Sequence, residues 1–287
     1  MEGKKRVPRV KEIKYSQKIP WHIINPAGTF KNIANIIMLF LLMYTFTIMP
    51  YLVAFKDVEI GSNWFIADTI VDSLFFIDII ITFNTAIEIG KNDGFSKPKF
   101  VLDRRKIIMN YLKGSFVIDV ISIWPFYLMD ANDTGRSNVF VRFLRMARLS
   151  RIARATKIFG VFKYFTDSDT MESILAFLNR YQSVTRLFGT LFIVFLLSHL
   201  TACMWYFSAR LDDFGPDTWV VRYGYQNEPD ETLYLTSFYF AFTILTTVGY
   251  GDIVAYTTIE VIIAIFWMIF GVCVYSFVIG TLTAIFA

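Results

Sequence analysis

Four long apolar stretches constrain this chain more than any other feature of its sequence. They run over residues 33–55, 65–89, 184–208 and 256–286. A helix needs roughly 20 predominantly apolar residues to cross a bilayer, and each stretch is long enough. Of the 287 residues, 55% are hydrophobic and 18% are aromatic, which is more apolar surface than a soluble domain of this size can bury. The sequence therefore predicts an integral membrane protein.

Two further apolar stretches are shorter or carry charge. They cover residues 115–129 and residues 139–158. Counting them gives six crossings, which places both termini on the same side of the membrane. The sequence therefore predicts an all-α membrane protein with six transmembrane helices.

The distribution of charge indicates the orientation. The first residues are basic and lack the short apolar core and cleavage site of a signal peptide, so we expect them to stay in the cytoplasm. The loop over residues 89–114 is also basic, and the positive-inside rule places it on the same side. The loop after Ser208 is expected outside because acids outnumber bases there. Its charged residues are Arg210, Arg222, Asp212, Asp213, Asp217, Glu228, Asp230 and Glu231. We expect a multi-pass protein of the plasma membrane with both termini cytoplasmic.

A basic residue recurs at every third position of one apolar segment. This arginine series consists of Arg142, Arg145, Arg148, Arg151, Arg154 and Lys157. At a rise of 1.5 Å per residue the series extends over roughly 22 Å of helix, most of the hydrocarbon core. Charges this costly inside a membrane are usually functional. The pattern predicts a voltage-sensing helix whose basic residues are gating charges.

A basic amphipathic helix on the inner membrane surface is the alternative interpretation of the same segment. Such a helix has a contiguous polar face. No acid or amide occurs from Val139 to Lys157, and this absence favours the voltage-sensing helix.

Aspartates in the preceding apolar segments supply the counter-charges that buried arginines need. Asp68, Asp72 and Phe75 lie at i, i+4 and i+7 on one helical stripe. Asp78 lies one turn further in, and Asp119 lies in the next apolar segment. We expect Phe75, Asp78 and Asp119 to form the occluded site past which each arginine moves. Asp68 and Asp72 are expected to receive the outer charges.

The string TTVGYGD lies between the last two long apolar stretches. The apolar run before it, residues 234–246, suits a short re-entrant helix but cannot span a bilayer. Non-helical backbone at membrane depth is tolerated only where it is buried in protein or lines a water-filled path. Residues 247–251 reproduce TVGYG, the string whose backbone carbonyls replace the hydration shell of the ion in potassium channels. The sequence therefore predicts a potassium selectivity filter.

The filter residues have separate physical roles. Successive carbonyls can point at one axis only if alternate residues take mirror-image dihedrals, which glycine accepts at little cost. The predicted filter consists of Thr247, Val248, Gly249, Tyr250, Gly251 and Asp252, with potassium at the first four and Asp252 bracing the outer mouth. One chain supplies one strand of such a filter, so the protein is expected to be a homotetramer.

Other residues carry weaker signals. Gly271 and Gly280 in the last apolar stretch are candidate gate hinges or helix-contact positions, and the sequence leaves both interpretations open. The two cysteines lie in apolar segments and the two histidines are far apart in sequence, so neither a disulfide nor a zinc site is expected. Asn132 begins a glycosylation sequon that the predicted topology places outside. No pattern of catalytic residues or phosphate-binding loop points to an enzyme, and we expect no nucleic-acid partner.

These features together resemble the superfamily of voltage-gated and cyclic-nucleotide-binding-domain cation channels, which includes the EAG-type, HCN-type, plant inward-rectifier and CNG channels. The stretch PWHIINPAGTFKNI resembles the family's pre-helix stretch, VDSLFFIDIIITFNT its second helix and HLTACMWY its fifth-helix signature. The resemblance covers nearly the whole chain. It implies a four-helix voltage sensor, a two-helix pore with a re-entrant helix, and packing roles for His199 and Cys203.

The filter distinguishes among these relatives. CNG channels lack the GYG core and HCN channels lack an aspartate after it, so TTVGYGD resembles the strictly potassium-selective members. Asp68 together with Asp72 and Asp78 resembles the EAG-type pattern, in which sensor acids also bind divalent cations. Tyr127 stands where those sensors carry an acid, and Asp130 follows three residues later. This departure from the pattern argues against a divalent site here.

The predicted organisation has four parts. They are an N-terminal and pre-helix segment (1–32), a voltage sensor (33–158), a sensor-to-pore linker (159–180), which the resemblance implies is not domain-swapped, and a pore (181–287). The leading hypothesis is a voltage-gated potassium channel with potassium ions in its filter, no covalently bound cofactor, and membrane lipids and identical subunits as partners.

Two alternatives remain. One is a potassium channel gated chiefly by an intracellular cyclic nucleotide. The resemblance implies that the nucleotide would bind to a domain beyond Ala287. The other is a membrane sensor that controls an attached enzyme or transporter, and it leaves the filter unexplained.

Overall fold

The computed structural model describes residues 19–26, 28–56, 61–89, 99–123 and 180–286. Within these residues the chain is mostly helical. Helix α1 spans Thr29–Phe55 and helix α2 spans Asn63–Phe83, so each coincides with most of one predicted crossing. Ser62 caps α2, because its side-chain oxygen accepts a hydrogen bond from the Phe65 N–H at 3.2 Å.

The second apolar stretch is not helical over its whole predicted length. Helix α2 ends at Phe83, and strand β1 (Ile87–Ile89) pairs antiparallel with strand β2 (Lys99–Val101). The prediction of one crossing over residues 65–89 is therefore wrong at its end, because β-branched isoleucines suit a strand as well as an apolar helix. This two-stranded ladder is also an exception to the all-α prediction.

A short helix that the sequence analysis did not predict follows the second strand. Helix α3 spans Arg104–Lys113 within the basic loop, and Asp103 caps it by accepting a hydrogen bond from the Arg105 N–H at 3.0 Å. Helix α4, Phe116–Ile123, begins soon afterwards and forms the described part of the crossing predicted over residues 115–129.

The last four described helices make up the part of the chain that is predicted to form the pore, called the pore half below. They are α5 (Gln182–Leu211), α6 (Trp219–Arg222), α7 (Asp230–Leu245) and α8 (Thr258–Phe286). With 16 residues α7 is too short to span a bilayer, as a re-entrant helix requires.

Three helices in the described part of the chain are long and apolar enough to cross a membrane. They are Thr29–Phe55, Gln182–Leu211 and Thr258–Ile285. Helix α2 has a suitable length but carries three of the predicted counter-charges, Asp68, Asp72 and Asp78. The crossing predicted over residues 139–158 lies outside the described residues.

The largest buried cluster joins α1 to the pore half. Helix α5 stacks Trp205 on Phe240 of α7, with ring centroids 3.8 Å apart, and Tyr206 on Phe55 of α1, at 4.2 Å. A separate cluster joins α1 to α2 through Met38, Leu42, Val71 and Phe75. Helix α1 therefore contacts both halves of the described structure.

Candidate ion-conduction site and its supports

The segment after α7 has the backbone that a filter needs. Gly249 has φ +54° and Gly251 has φ +75°, so both glycines take the left-handed dihedrals that the alternation requires. Thr247 also takes a positive φ, at 60°. The sequence analysis assigned this geometry to the glycines alone. The mirror-image conformation in fact recurs at every second residue from Thr247 to Gly251, including one position where a side chain makes it costly.

The pore helix holds the inner end of this segment through its last carbonyls. The Thr243 carbonyl accepts hydrogen bonds from the N–H groups of Val248 at 2.9 Å and Gly249 at 3.2 Å, and the Ile244 carbonyl accepts one from Thr247 at 3.0 Å. The helix therefore ends against the filter. Its C-terminal end carries the partial negative charge of the helix dipole, which favours a cation nearby.

A second contact holds the outer end of the filter. Tyr239 of α7 donates a hydrogen bond from its hydroxyl to Asp252 at 2.6 Å, and its ring lies parallel to that of Tyr250 at 6.5 Å. Asp252 was predicted to brace this loop, and Tyr239 is the partner through which it can do so. In a single chain Tyr250 remains 71% exposed and Val248 51% exposed.

The pore helix is itself tied to the neighbouring helices. His199 of α5 is buried, with one ring nitrogen 2.8 Å from the Tyr234 hydroxyl of α7 and the other 2.7 Å from the Thr47 carbonyl of α1. Lys56, just after α1, forms an ion pair with Asp230, the first residue of α7. The hydrogen bond from Lys56 to Asp230 raises the pKa of the lysine above its ordinary value. These contacts join three elements at one end of the pore helix.

Arg210 is a structural residue and not a free charge of the outer loop. It lies in the last turn of α5 and is 9% exposed, and its guanidinium donates to the carbonyls of Val53 at 3.3 Å and of Ala54 and Lys56 at 3.0 Å. The last carbonyls of a helix have no partner within the helix, and this arginine supplies one for the end of α1. Counting it with the loop charges was therefore wrong.

Glu260 braces the turn that leads into α8. It is fully buried and its carboxylate accepts hydrogen bonds from the N–H groups of Trp219 at 3.0 Å, Tyr256 at 3.0 Å and Thr257 at 3.2 Å. One carboxylate thus fixes α6 and the start of α8 around the outer end of the pore half.

The two candidate hinge glycines have different surroundings. A Cβ at Gly271 would lie 2.9 Å from the Ile244 carbonyl and 3.3 Å from the Leu245 Cα, so α8 passes close to the end of the pore helix at this point. A Cβ at Gly280 would meet no atom of the described residues within 4 Å. The contact at Gly271 favours a packing role for this glycine over a hinge.

The predicted counter-charges divide into an inner and an outer group. Asp78 is buried and pairs with Lys31 of α1 at 3.4 Å, while Phe75 is 1% exposed in the cluster between α1 and α2. Asp119 is buried and accepts a hydrogen bond from the Tyr111 hydroxyl of α3 at 2.5 Å. Burial, the bond to Asp119 and the charge of Asp78 raise the pKa of Tyr111, so the two acids act on one tyrosine.

The outer group is more exposed. Asp68 accepts a hydrogen bond from the Tyr44 hydroxyl at 2.9 Å, and both Asp68 and Asp72 are half-buried. The whole arginine series lies outside the described residues, as do Asn132, Tyr127 and Asp130. The gating-charge assignments therefore remain predictions from the sequence.

Several supporting residues were missed by the sequence analysis. Tyr239 lies in an apolar run where a tyrosine gives no distinct signal. Lys31 lies at the start of an apolar stretch, and Glu260 lies at the end of a polar turn. In both cases the available signal was a charged residue at the margin of a predicted membrane helix.

Comparison with known proteins assigns the chain to a family. Residues 31–287 match the family described as ion transport protein, which is well over half of the chain. The chain belongs to the ion transport protein family. Membership of this family and the channel relatives below indicate a transporter or channel rather than an enzyme.

Relatives of this ion transport protein are voltage-gated potassium channels. Voltage-gated delayed rectifier potassium channel KCNH1 of Rattus norvegicus is 31% identical over 94% of the chain and 28% of the relative. KCNH5 of Homo sapiens, also a voltage-gated delayed rectifier potassium channel, is 29% identical over 94% of the chain and 27% of the relative. Potassium voltage-gated channel protein eag of Drosophila melanogaster is 30% identical over 93% of the chain and 23% of the relative. The chain spans about a quarter of the length of these relatives. They confirm the resemblance to the transmembrane part of the EAG-type branch.

Proposed function

We propose that four copies of this chain form a voltage-gated, potassium-selective ion channel. The observation that carries the proposal is the alternation of positive φ at Thr247, Gly249 and Gly251, directly after a helix too short to span the membrane. Such a backbone turns successive carbonyls toward one axis. The voltage-gated potassium channels among the relatives support the same function.

Conduction uses backbone oxygen atoms. The carbonyls of residues 247–250 and the Thr247 hydroxyl, contributed by four chains, take the place of water around a dehydrated potassium ion. The partial negative charge at the end of each pore helix stabilises the ion below the filter. The bond from Tyr239 to Asp252 keeps the outer end of each strand from collapsing or widening.

Gating uses the arginine series. In this proposal each chain crosses the membrane six times, residues 33–158 form the sensor and residues 181–287 form the pore. Both termini lie in the cytoplasm, and the channel lies in the plasma membrane. Moving one charge through 100 mV is worth about 2.3 kcal/mol, so three charges in each of four subunits supply roughly 28 kcal/mol. Residues 159–180 pass the movement to α8, which opens or closes the inner end of the pore.

The proposal is tested by recording from the chain, or from its full-length parent, in a voltage-clamped oocyte. Voltage steps of both signs are applied while external potassium is exchanged for sodium. We expect a time-dependent current that reverses near the potassium equilibrium potential. A current that ignores voltage until cyclic nucleotide is applied from inside would contradict voltage as the main stimulus. A current carried equally by sodium would contradict the filter.

The sensor assignment has its own test. Arg148→Gln or Arg151→Gln removes a charge from the middle of the arginine series, so the conductance–voltage curve should become less steep. Arg222→Gln is the matched control, because Arg222 pairs with exposed Asp217 outside the predicted sensor. An unchanged slope in both sensor variants would contradict the role of the series.

A further inference from the structure

Helix α3 exposes both cations and apolar side chains. Arg104, Arg105, Lys106 and Lys113 are exposed. Ile108, Met109 and Leu112 are also exposed, by 37%, 50% and 38%. Ile107 and Tyr111, in contrast, are buried. Only one stripe of this helix therefore packs against the described part of the protein, and the rest carries a mixed apolar and basic surface.

The mixed surface has an order. At about 100° per residue, Ile108, Met109 and Leu112 fall within a sector about 100° wide. Lys106 and Lys113 lie together beyond one border of this sector, and Arg104 lies beyond the other. An apolar sector bordered by cations is the pattern of a helix that lies in a membrane interface. Arg105 falls within the sector in the first turn, where a long side chain can extend its charge to the headgroups.

The position of α3 in the chain agrees with such a location. Gly114 ends the helix, and α4 begins two residues later with Val117, Ile118 and Ile121 exposed. These apolar side chains belong to the third predicted crossing. Helix α3 therefore lies where the chain enters the bilayer, on the side that the basic loop marks as cytoplasmic.

The buried stripe of α3 contacts one of the predicted counter-charges, Asp119. Tyr111 donates its hydroxyl hydrogen bond to Asp119 at 2.5 Å, and its ring packs edge-on against Phe83 of α2 at 4.8 Å. The same helix thus has exposed cations on one side and a predicted counter-charge of the sensor on the other.

We propose that α3 binds anionic lipid headgroups of the cytoplasmic leaflet and that Tyr111 transmits this binding to Asp119. The lipid site stands on the surface of α3 alone, while the effect on gating rests on the proposed function. Anionic lipid attracts basic residues near the surface, whereas a soluble anion would not engage the apolar sector.

The lipid site is tested with the purified full-length channel in bilayers that contain spin-labelled phosphatidylserine or spin-labelled phosphatidylcholine. The measured quantity is the ratio of their association constants with the protein. The variant R104Q/R105Q/K106Q/K113Q should lower the preference for phosphatidylserine at least about threefold, because each basic residue near an anionic surface adds to the attraction. Glutamine is a good helix former, so α3 should persist.

A charge-preserving variant provides the matched control. R104K/R105K/K106R/K113R alters the same four positions and should keep the wild-type preference for phosphatidylserine. In both proteins this preference should weaken at high salt, because salt screens the attraction. An unchanged ratio in the glutamine variant would overturn the lipid site, and so would an equal loss in the charge-preserving variant.

The transmission to the sensor has a separate readout. Tyr111→Phe leaves the exposed surface of α3 intact, so the lipid ratio should stay at its wild-type value. The voltage of half-activation should, however, lose its dependence on the phosphatidylserine content of the bilayer. Full retention of that dependence would overturn the transmission. If the channel proves insensitive to voltage, the proposed function fails while the lipid ratio still decides the binding site.

Discussion

At the residue scale, one hydroxyl connects the pore helix to the outer end of the filter. Tyr239→Phe removes the hydrogen bond to Asp252 and keeps the ring that lies beside Tyr250. A hydrogen bond to a charged group is worth about 1.5–3 kcal/mol. We expect the filter to leave its conducting form at least about tenfold faster, measured as the decay of potassium current during a long activating step.

The control for this change is Tyr225→Phe. Tyr225 lies in the loop between α6 and α7, and its ring packs against Trp219. Loss of its hydroxyl should leave the current decay unchanged. If the potassium currents of Tyr239→Phe and Tyr225→Phe decay at the same rate, the bond to Asp252 does not support the filter.

A second residue-scale prediction concerns Arg210. Arg210→Gln removes the donor that reaches the carbonyls of Val53, Ala54 and Lys56, and we expect it to destabilise the folded channel by about 2–3 kcal/mol. The measurement is the temperature at which detergent-solubilised channel loses its assembled peak in size-exclusion chromatography. Arg222→Gln breaks an exposed pair with Asp217 and an exposed contact with the Tyr256 ring 4.9 Å away, so it should change stability by no more than about 1 kcal/mol. Equal shifts for the two variants would contradict the capping role.

These residues show what a sequence can and cannot reveal at this scale. The positive φ of Gly249 and Gly251 was predictable because the alternation depends on consecutive residues, so the string TVGYG carries its own geometry. The role of Arg210 was not predictable, because it depends on carbonyls more than 150 residues earlier in the chain. The positive φ of Thr247 was not predicted, for another reason. Its positive φ is maintained by the surrounding hydrogen bonds against the ordinary preference of a β-branched residue.

At the element scale, hydrophobicity predicted the positions of the long helices more accurately than the residues at which they begin and end. The pore helix was predicted from Tyr234, yet it begins at Asp230, because two acids in its first turn suit the positive end of the helix dipole but interrupt the apolar pattern. Strand β1 was absorbed into a crossing because its residues are apolar. Helix α3 was overlooked because it is short and lies in a strongly basic loop.

The close approach of α8 to the pore helix gives an element-scale prediction. Gly271→Ala places a methyl group 2.9 Å from the Ile244 carbonyl, so the two helices must separate. Overpacking of this kind costs about 1–3 kcal/mol, and we expect a lower thermal stability of the assembled channel together with reduced potassium current.

Gly280→Ala is the matched control on the same helix. Its Cβ would meet no atom of the described residues within 4 Å, and alanine is a better helix former than glycine. Stability should therefore be unchanged or slightly higher. A Gly271→Ala channel with normal stability but altered opening would instead identify this glycine as a hinge.

At the scale of the whole molecule, a single chain is incomplete. The filter residues Val248 and Tyr250 are largely exposed, as are Ile262, Phe266 and Ile269 of α8, although these residues flank the predicted conduction path. One strand of backbone can coordinate an ion on one side only. Neighbouring copies around a fourfold axis would cover these side chains and complete the ring of oxygen atoms.

This assembly predicts how a damaged filter acts on intact subunits. Gly249→Ala places a side chain at φ +54°, which is strained for any residue with a Cβ, so a filter that contains one such strand should not conduct. If equal amounts of wild-type and Gly249→Ala chains mix at random in tetramers, about one sixteenth of the channels contain four wild-type strands. The potassium current, divided by the number of chains at the cell surface, should therefore fall to about one sixteenth of its wild-type value. A fall to about one half would indicate that each chain conducts alone, and a fall to about one quarter would indicate a dimer, because the surviving fraction decreases by half with every subunit that must be intact.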